Sequence, residues 1–142
     1  QGGVWGLGGC CGTTPEHIAK MRPLADAAKA PAPVWDGVTK VCSSRVFMAL
    51  AEAKQAVEEI TDLEALYDLE PGQVPLIDLT GRSPAEARAA SEAAQTMTKA
   101  PMAFRAGDPE VLDAALEVYA GVALADCAGQ EEVFARWGAE RL

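Results

Sequence analysis

The chain has 142 residues, 49% of them hydrophobic, and 21 acidic against 12 basic side chains give a formal charge of -9. This is room for about one domain with a real core, which excludes intrinsic disorder. The acidic balance and the lack of a basic patch argue against sequence-independent nucleic-acid binding, and no apolar run reaches the roughly 18 residues of a membrane span.

No secretory pattern opens the chain, so a cytoplasmic location is the default expectation. Cys10, Cys11, Cys42 and Cys127 are too sparse for a disulfide scaffold and read as thiol or metal groups.

Residues 4–7 read as a short apolar strand. Gly8-Gly9-Cys10-Cys11-Gly12 follows, where glycine permits backbone conformations that a Cβ resists. A helix then begins: Thr13 with Glu16 has the capping-box spacing, whereas Thr14 as the cap would put Pro15 at the first helical position. The helix is expected over residues 15–22, ended or broken by Pro23, with a further turn over residues 24–29. Two adjacent thiols thus sit on a strand-to-helix turn, the place where parallel α/β architectures build active sites. On spacing alone, adjacent cysteines are more often small buried hydrophobes than ligands. His17, the one histidine, cannot build a histidine-rich metal site by itself. It is expected in the first helical turn, with an accessory role beside the thiols left open.

The stretch Gly8-Gly9-Cys10-Cys11-Gly12-Thr13-Thr14-Pro15-Glu16-His17-Ile18 resembles the zinc-binding segment of the homocysteine S-methyltransferase family, in particular the homocysteine-binding barrel of cobalamin-dependent methionine synthases. The resemblance implies the terminal βα unit of a TIM-type (β/α)8 barrel, with Cys10 and Cys11 as two of three thiolate ligands to zinc. The third family cysteine lies on an earlier strand end and is expected upstream of residue 1. It further implies homocysteine as substrate, its sulfur taking the open zinc position and becoming a thiolate nucleophile, with methionine as product. Methylcobalamin, methylfolate through a corrinoid, betaine and S-methylmethionine all stay open as methyl donors. A corrinoid protein or domain is the implied partner.

Residues 1–30 are therefore expected to form the terminal barrel unit and residues 31–44 a linker, since Ala30-Pro31-Ala32-Pro33 favours an extended connection. Thr39-Lys40-Val41-Cys42-Ser43-Ser44 is similar to the segment that follows the barrel in the same synthases. From Arg45, the residues Val46, Leu50, Ala53, Val57 and Ile60 fall at helical spacing and predict one helix with a core-facing stripe. Residues 62–69 read as a short second helix, closed by Pro71-Gly72. Apolar runs at 74–79, 102–106 and 122–126 then alternate with helical stretches at 83–98, 108–119 and 130–137. Ser83-Pro84-Ala85-Glu86 combines a capping box with proline at the first helical position, and Asp108-Pro109 repeats the start signal. The βαβαβα order predicts a small parallel α/β layer within residues 45–142, as part of a barrel or as an open sheet.

Pro75-Leu76-Ile77-Asp78 and Asp108-Pro109-Glu110-Val111-Leu112-Asp113-Ala114-Ala115-Leu116 resemble the end of the pterin-binding barrel of those synthases, which makes residues 45–142 a degenerate remnant of it. The signature that opens that barrel is missing, and Asp126 and Cys127 replace a usual asparagine and serine, so no working folate site is expected. Asp78, Arg105, Asp126 and Cys127 fall near strand carboxyl ends, where parallel sheets bind ligands. The competing and favoured reading is that Asp78 and Asp126 cap backbone amides while Arg105 pairs with one of them. Ser43-Ser44 has no paired base, and Gly6-Leu7-Gly8-Gly9 lacks a nucleotide-binding spacing. The expected whole is the C-terminal part of a zinc-dependent homocysteine S-methyltransferase, inactive alone. The alternative is a non-catalytic α/β module that docks on a corrinoid or methyltransferase partner.

Overall fold

The computed structural model describes residues 8–27, 36–127 and 131–142, so the strand expected at 4–7 and the prolines of the linker lie outside the described residues. The chain divides into two compact units, Gln1–Gly37 and Val38–Leu142.

In the first unit, helix α1 spans Pro15–Ala27 and continues through Pro23, where the sequence predicted a stop. The ring removes one backbone donor, but no described residue of this unit is buried, so water can serve the carbonyl left over. The Arg22 Nε and Asp26 Oδ1 pair, at 3.0 Å, also spans the proline with helical spacing.

The second unit opens with an antiparallel hairpin of β1 (Lys40–Cys42) and β2 (Phe47–Ala49), followed by α2 (Leu50–Gln55). Residues 40–42 were expected in the linker. They form a strand instead because Val41 is fully buried and Cys42 exchanges two 2.9 Å backbone bonds with Val122. The helix expected from Arg45 is also corrected: six helical residues stand between β2 and a third strand, β3 (Val57–Glu59). The 3.6-residue spacing there is coincidental. Leu50 and Ala53 do face a core, but Val57 pairs with Val74 in a parallel ladder, a pleat that its β-branched side chain suits better than a helix, and Ile60 packs on the other core.

A 3-10 turn at Leu63–Asp68, capped by the Asp62 carboxylate on the Ala65 N–H, stands where a short helix was predicted. Thereafter strand and helix alternate as expected: β4 (Val74–Asp78), α3 (Pro84–Met97), β5 (Ala103–Arg105), α4 (Pro109–Glu117), β6 (Leu124–Asp126), α5 (Glu131–Trp137) and β7 (Glu140–Arg141). The capping box at Ser83 and Glu86 forms in both directions, and Asp108 caps α4 through the Glu110 N–H at 2.8 Å. Strands β3 to β7 make one parallel sheet in sequential order, with edges at β3 and β7. Pro75 fits this sheet because Val74 donates toward β3, so the Pro75 nitrogen faces the other side, just ahead of the first β4–β5 pair at Leu76 and Ala103.

Sequential order places the crossover helices together on one face. Ile77, Phe104 and Ala125 of the strands pack there with Ala87, Ala90 and Ala94 of α3, Leu112 and Ala115 of α4, and Phe134 of α5. The alternate strand residues Val74, Leu76, Ala103 and Leu124 face the opposite way and are covered by Val41, Met48 and Ala53. Buried on both faces, the strands read as continuous apolar runs, which is why three of them were legible in the sequence. Among the described residues, no helix is long and apolar enough to cross a membrane.

Candidate functional site

The thiol pair sits on a tight turn. The Thr13 N–H donates to the Cys10 carbonyl at 2.9 Å, Gly12 has a φ of 88°, and Cys11 is not in the positive-φ region. With the positive angle confined to the third position, this is a type II turn, which demands glycine there. Gly9 is fixed for another reason: a Cβ on it would overlap the Thr13 side chain. Cys10 and Cys11 are both free and exposed, so their reading as small buried hydrophobes does not hold.

The start of α1 decides the role of His17. The Thr14 carbonyl accepts from Ile18, which makes Thr14 the cap and Pro15 the first helical residue. The His17 Nδ1 accepts the Thr14 N–H at 3.1 Å, doing what a glutamate does in a capping box, and the Thr14 hydroxyl donates to Glu16 at 3.2 Å. The Thr13 and Glu16 box is not used. A neutral imidazole that accepts at Nδ1 carries its hydrogen on Nε2, so His17 has no lone pair left for a metal in this arrangement. No group of three or more His, Cys, Asp or Glu side chains is placed to hold a metal ion among the described residues.

At the carboxyl edge of the sheet, register brings Asp78, Arg105 and Asp126 side by side. The Arg105 Nε donates to Asp126 at 3.0 Å, while its Nη1 lies 3.2 Å from Glu59 and 3.8 Å from Asp78. The carboxylates of Asp126 and then Glu59 hold the guanidinium above its ordinary pKa. Thr80, bonding through side chain and backbone, and Arg105 beyond it hold the Asp78 carboxyl below the usual range. Glu59 was missed in the sequence because residues 57–60 read as helix there. Cys127 does not join the cluster: its thiol is buried and donates to the Ala106 carbonyl at 2.6 Å. One cation shared by three carboxylates ties four strand ends together. A separate cavity of about 560 Å³ lies at the opposite, amino end of the sheet, lined by Met48, Leu69, Pro71, Met97 and Pro101 among others, remote from these charges.

One comparison with known proteins bears on the thiol turn. The family model of homocysteine S-methyltransferase matches residues 1–25. The match takes in Cys10, Cys11 and the cap of α1 and stops well short of the sheet. No curated protein and no solved structure matches the chain. A methyl-transfer family is thus indicated for the amino-terminal stretch. Thiolates suit zinc chemically, and a tetrahedral zinc takes four ligands, of which Cys10 and Cys11 could supply two.

Proposed function

We propose that the amino-terminal unit is the terminal βα unit of the barrel of a homocysteine S-methyltransferase, in which Cys10 and Cys11 are two of the thiolate ligands to zinc and a third donor comes from outside the described residues. The observation that carries this reading is the coincidence of the family match with two exposed, adjacent thiols on a glycine turn at the start of a helix. When bound, such a zinc lowers the pKa of a substrate thiol, here that of homocysteine. The part played by this chain is positional. Gly12 makes the turn, Gly9 leaves room for Thr13, and the Thr14 and His17 bond fixes where the helix begins, so both sulfurs leave one short loop. Methylcobalamin, delivered by a corrinoid protein or domain, is the methyl donor we favour.

For the second unit, the self-satisfied charge cluster around Arg105 favours a different role, that of a non-catalytic module carried beside the methyltransferase. Methionine formation from homocysteine by the longest natural reading frame, with zinc content measured in parallel, tests the main proposal. An active, zinc-loaded protein that loses both on replacement of Cys10 and Cys11 supports it. Activity and zinc that survive the replacement refute it.

A further inference from the structure

We propose that the cavity at the amino end of the sheet binds a zwitterionic amino acid with a large apolar side chain, its carboxylate against Lys99 and its ammonium against Glu70. All the residues involved belong to the second unit, so the thiolate–zinc reading has no part in it. The cavity holds about 560 Å³, within the range of small-molecule sites. Met48, Leu69, Met97 and Pro101 give it an apolar lining, with Met48 and Pro101 buried. Glu70 and Lys99 line it as well, and both are exposed. Arg88, Arg105, Arg136 and Arg141 of the same unit are each paired with an acid. Neither Glu70 nor Lys99 makes an ion pair among the described residues, with the other or with any third group.

Both charged walls are fixed before a ligand arrives. Glu70-Pro71-Gly72-Gln73 is a type II turn: the Gln73 N–H donates to the Glu70 carbonyl at 3.1 Å, Gly72 has a φ of 95°, and the Glu70 N–H donates to the Gln73 Oε1 at 2.8 Å. On the other side, the Ser43 hydroxyl donates to the Lys99 carbonyl at 2.6 Å, and the Ala100 N–H donates to the Thr98 hydroxyl at 3.2 Å. The backbone of each charged residue is held while its charge is left over. A plain anion entering here meets Glu70, and the formal charge of -9 on the chain works against it too. A plain cation meets Lys99. A molecule carrying both signs satisfies both groups, and its apolar side chain covers the floor. Ion pairs at an exposed mouth are worth little by themselves, so apolar burial supplies the affinity and the charges supply the selection. Methionine side chains adapt to varied apolar shapes, so several large apolar amino acids are expected to bind.

The test is calorimetric titration of the 142-residue chain with L-methionine, with N-acetyl-L-methionine, which lacks the ammonium, and with the amine left by decarboxylation of methionine, which lacks the carboxylate. The expected result is saturable one-to-one binding of L-methionine, weakened about fivefold for either analogue and about fivefold in Glu70→Gln or Lys99→Gln. The losses should also pair up: Glu70→Gln no longer distinguishes the free from the acetylated amino acid, and Lys99→Gln no longer distinguishes the free amino acid from the amine. Both positions are exposed, so the variants keep the fold, which their urea midpoints check. Absence of saturable binding by L-methionine, L-leucine and L-phenylalanine overturns the proposal, and so does L-methionine binding that neither variant weakens. Either analogue bound as tightly as L-methionine overturns the two-charge recognition and the proposal with it.

Discussion

Tyr119→Phe removes one oxygen that joins three parts of the second unit. The Tyr119 hydroxyl accepts the Met102 N–H at 3.1 Å, just before β5, and donates to the Cys42 carbonyl of β1 at 3.0 Å. The ring itself meets Phe104 edge-on at 5.6 Å and keeps that contact in the variant. Cys42 loses little, since its carbonyl also accepts from Val122. Met102 is 1% exposed, and its N–H is left without a partner. An orphaned buried donor costs about 1–3 kcal/mol. With a urea slope of about 1–3 kcal/mol per molar, the midpoint should fall by roughly 1 M while the slope stays the same. Burial also pushes the Tyr119 phenol well above its ordinary value near 10. Above that pH the unfolded chain ionises this group and the folded chain does not, so wild-type stability falls as pH rises and the variant escapes this loss. The gap between the two proteins should narrow from neutral pH to about pH 11. A midpoint within about 0.2 M of wild type at neutral pH would refute the account of the Met102 bond.

Four further outcomes are expected. Cys10→Ala or Cys11→Ala in the longest natural reading frame should abolish zinc retention, read by metal analysis, and leave the urea midpoint of the second unit unchanged because both thiols are exposed. Arg105→Met should destabilise the sheet at neutral pH by leaving Glu59, Asp78 and Asp126 facing one another without their shared cation, read as a lower urea midpoint. In the wild type Asp78, held low in the fold, stabilises above its ordinary pKa, and that contribution is lost as pH falls through the depressed value; urea midpoints at falling pH check the sign. Ser83→Ala should cost about 1 kcal/mol by breaking the capping box of α3, measured by thermal or urea unfolding. The 142-residue chain alone should form no methionine from homocysteine and a methylated corrinoid, because two thiolates do not complete the metal site.

The second half of the fold was legible because local signals and tertiary structure agree there. Ser83-Pro84-Ala85-Glu86 and Asp108-Pro109 start helices in the sequence and in the structure alike, and β4, β5 and β6 are apolar on both faces. Residues 45–60 misled because Leu50 and Ala53 of α2 and Val57 of β3 face one core at spacings of three and four, which imitates a helical stripe, while Val46 is exposed and Ile60 packs on the other core. That error hid Glu59, and with it the shared character of the Arg105 cluster, although Arg105 pairing with a strand-end acid was foreseen. β7 escaped notice because two charged residues, Glu140 and Arg141, carry no strand pattern, and what holds them is tertiary: backbone bonds to the β6 segment, the Arg141 pair with Glu131 and the Phe134 ring beneath Arg141. At the thiol turn, the cysteines and the choice between Thr13 and Thr14 were visible. The use of a histidine in place of the capping glutamate was not, since only the geometry of the first helical turn determines which side chain reaches the Thr14 amide.

The two borders of the sheet are chemically guarded. β3 presents Glu58 and Glu59 to solvent, and β7 is a two-residue strand of Glu140 and Arg141. An outer strand with free backbone groups is a template for pairing with another chain, and short length and charge are the usual deterrents. Runaway β-association would require desolvating these charged side chains, including a carboxylate already engaged with Arg105. The sheet is therefore closed to growth by strand addition at both borders.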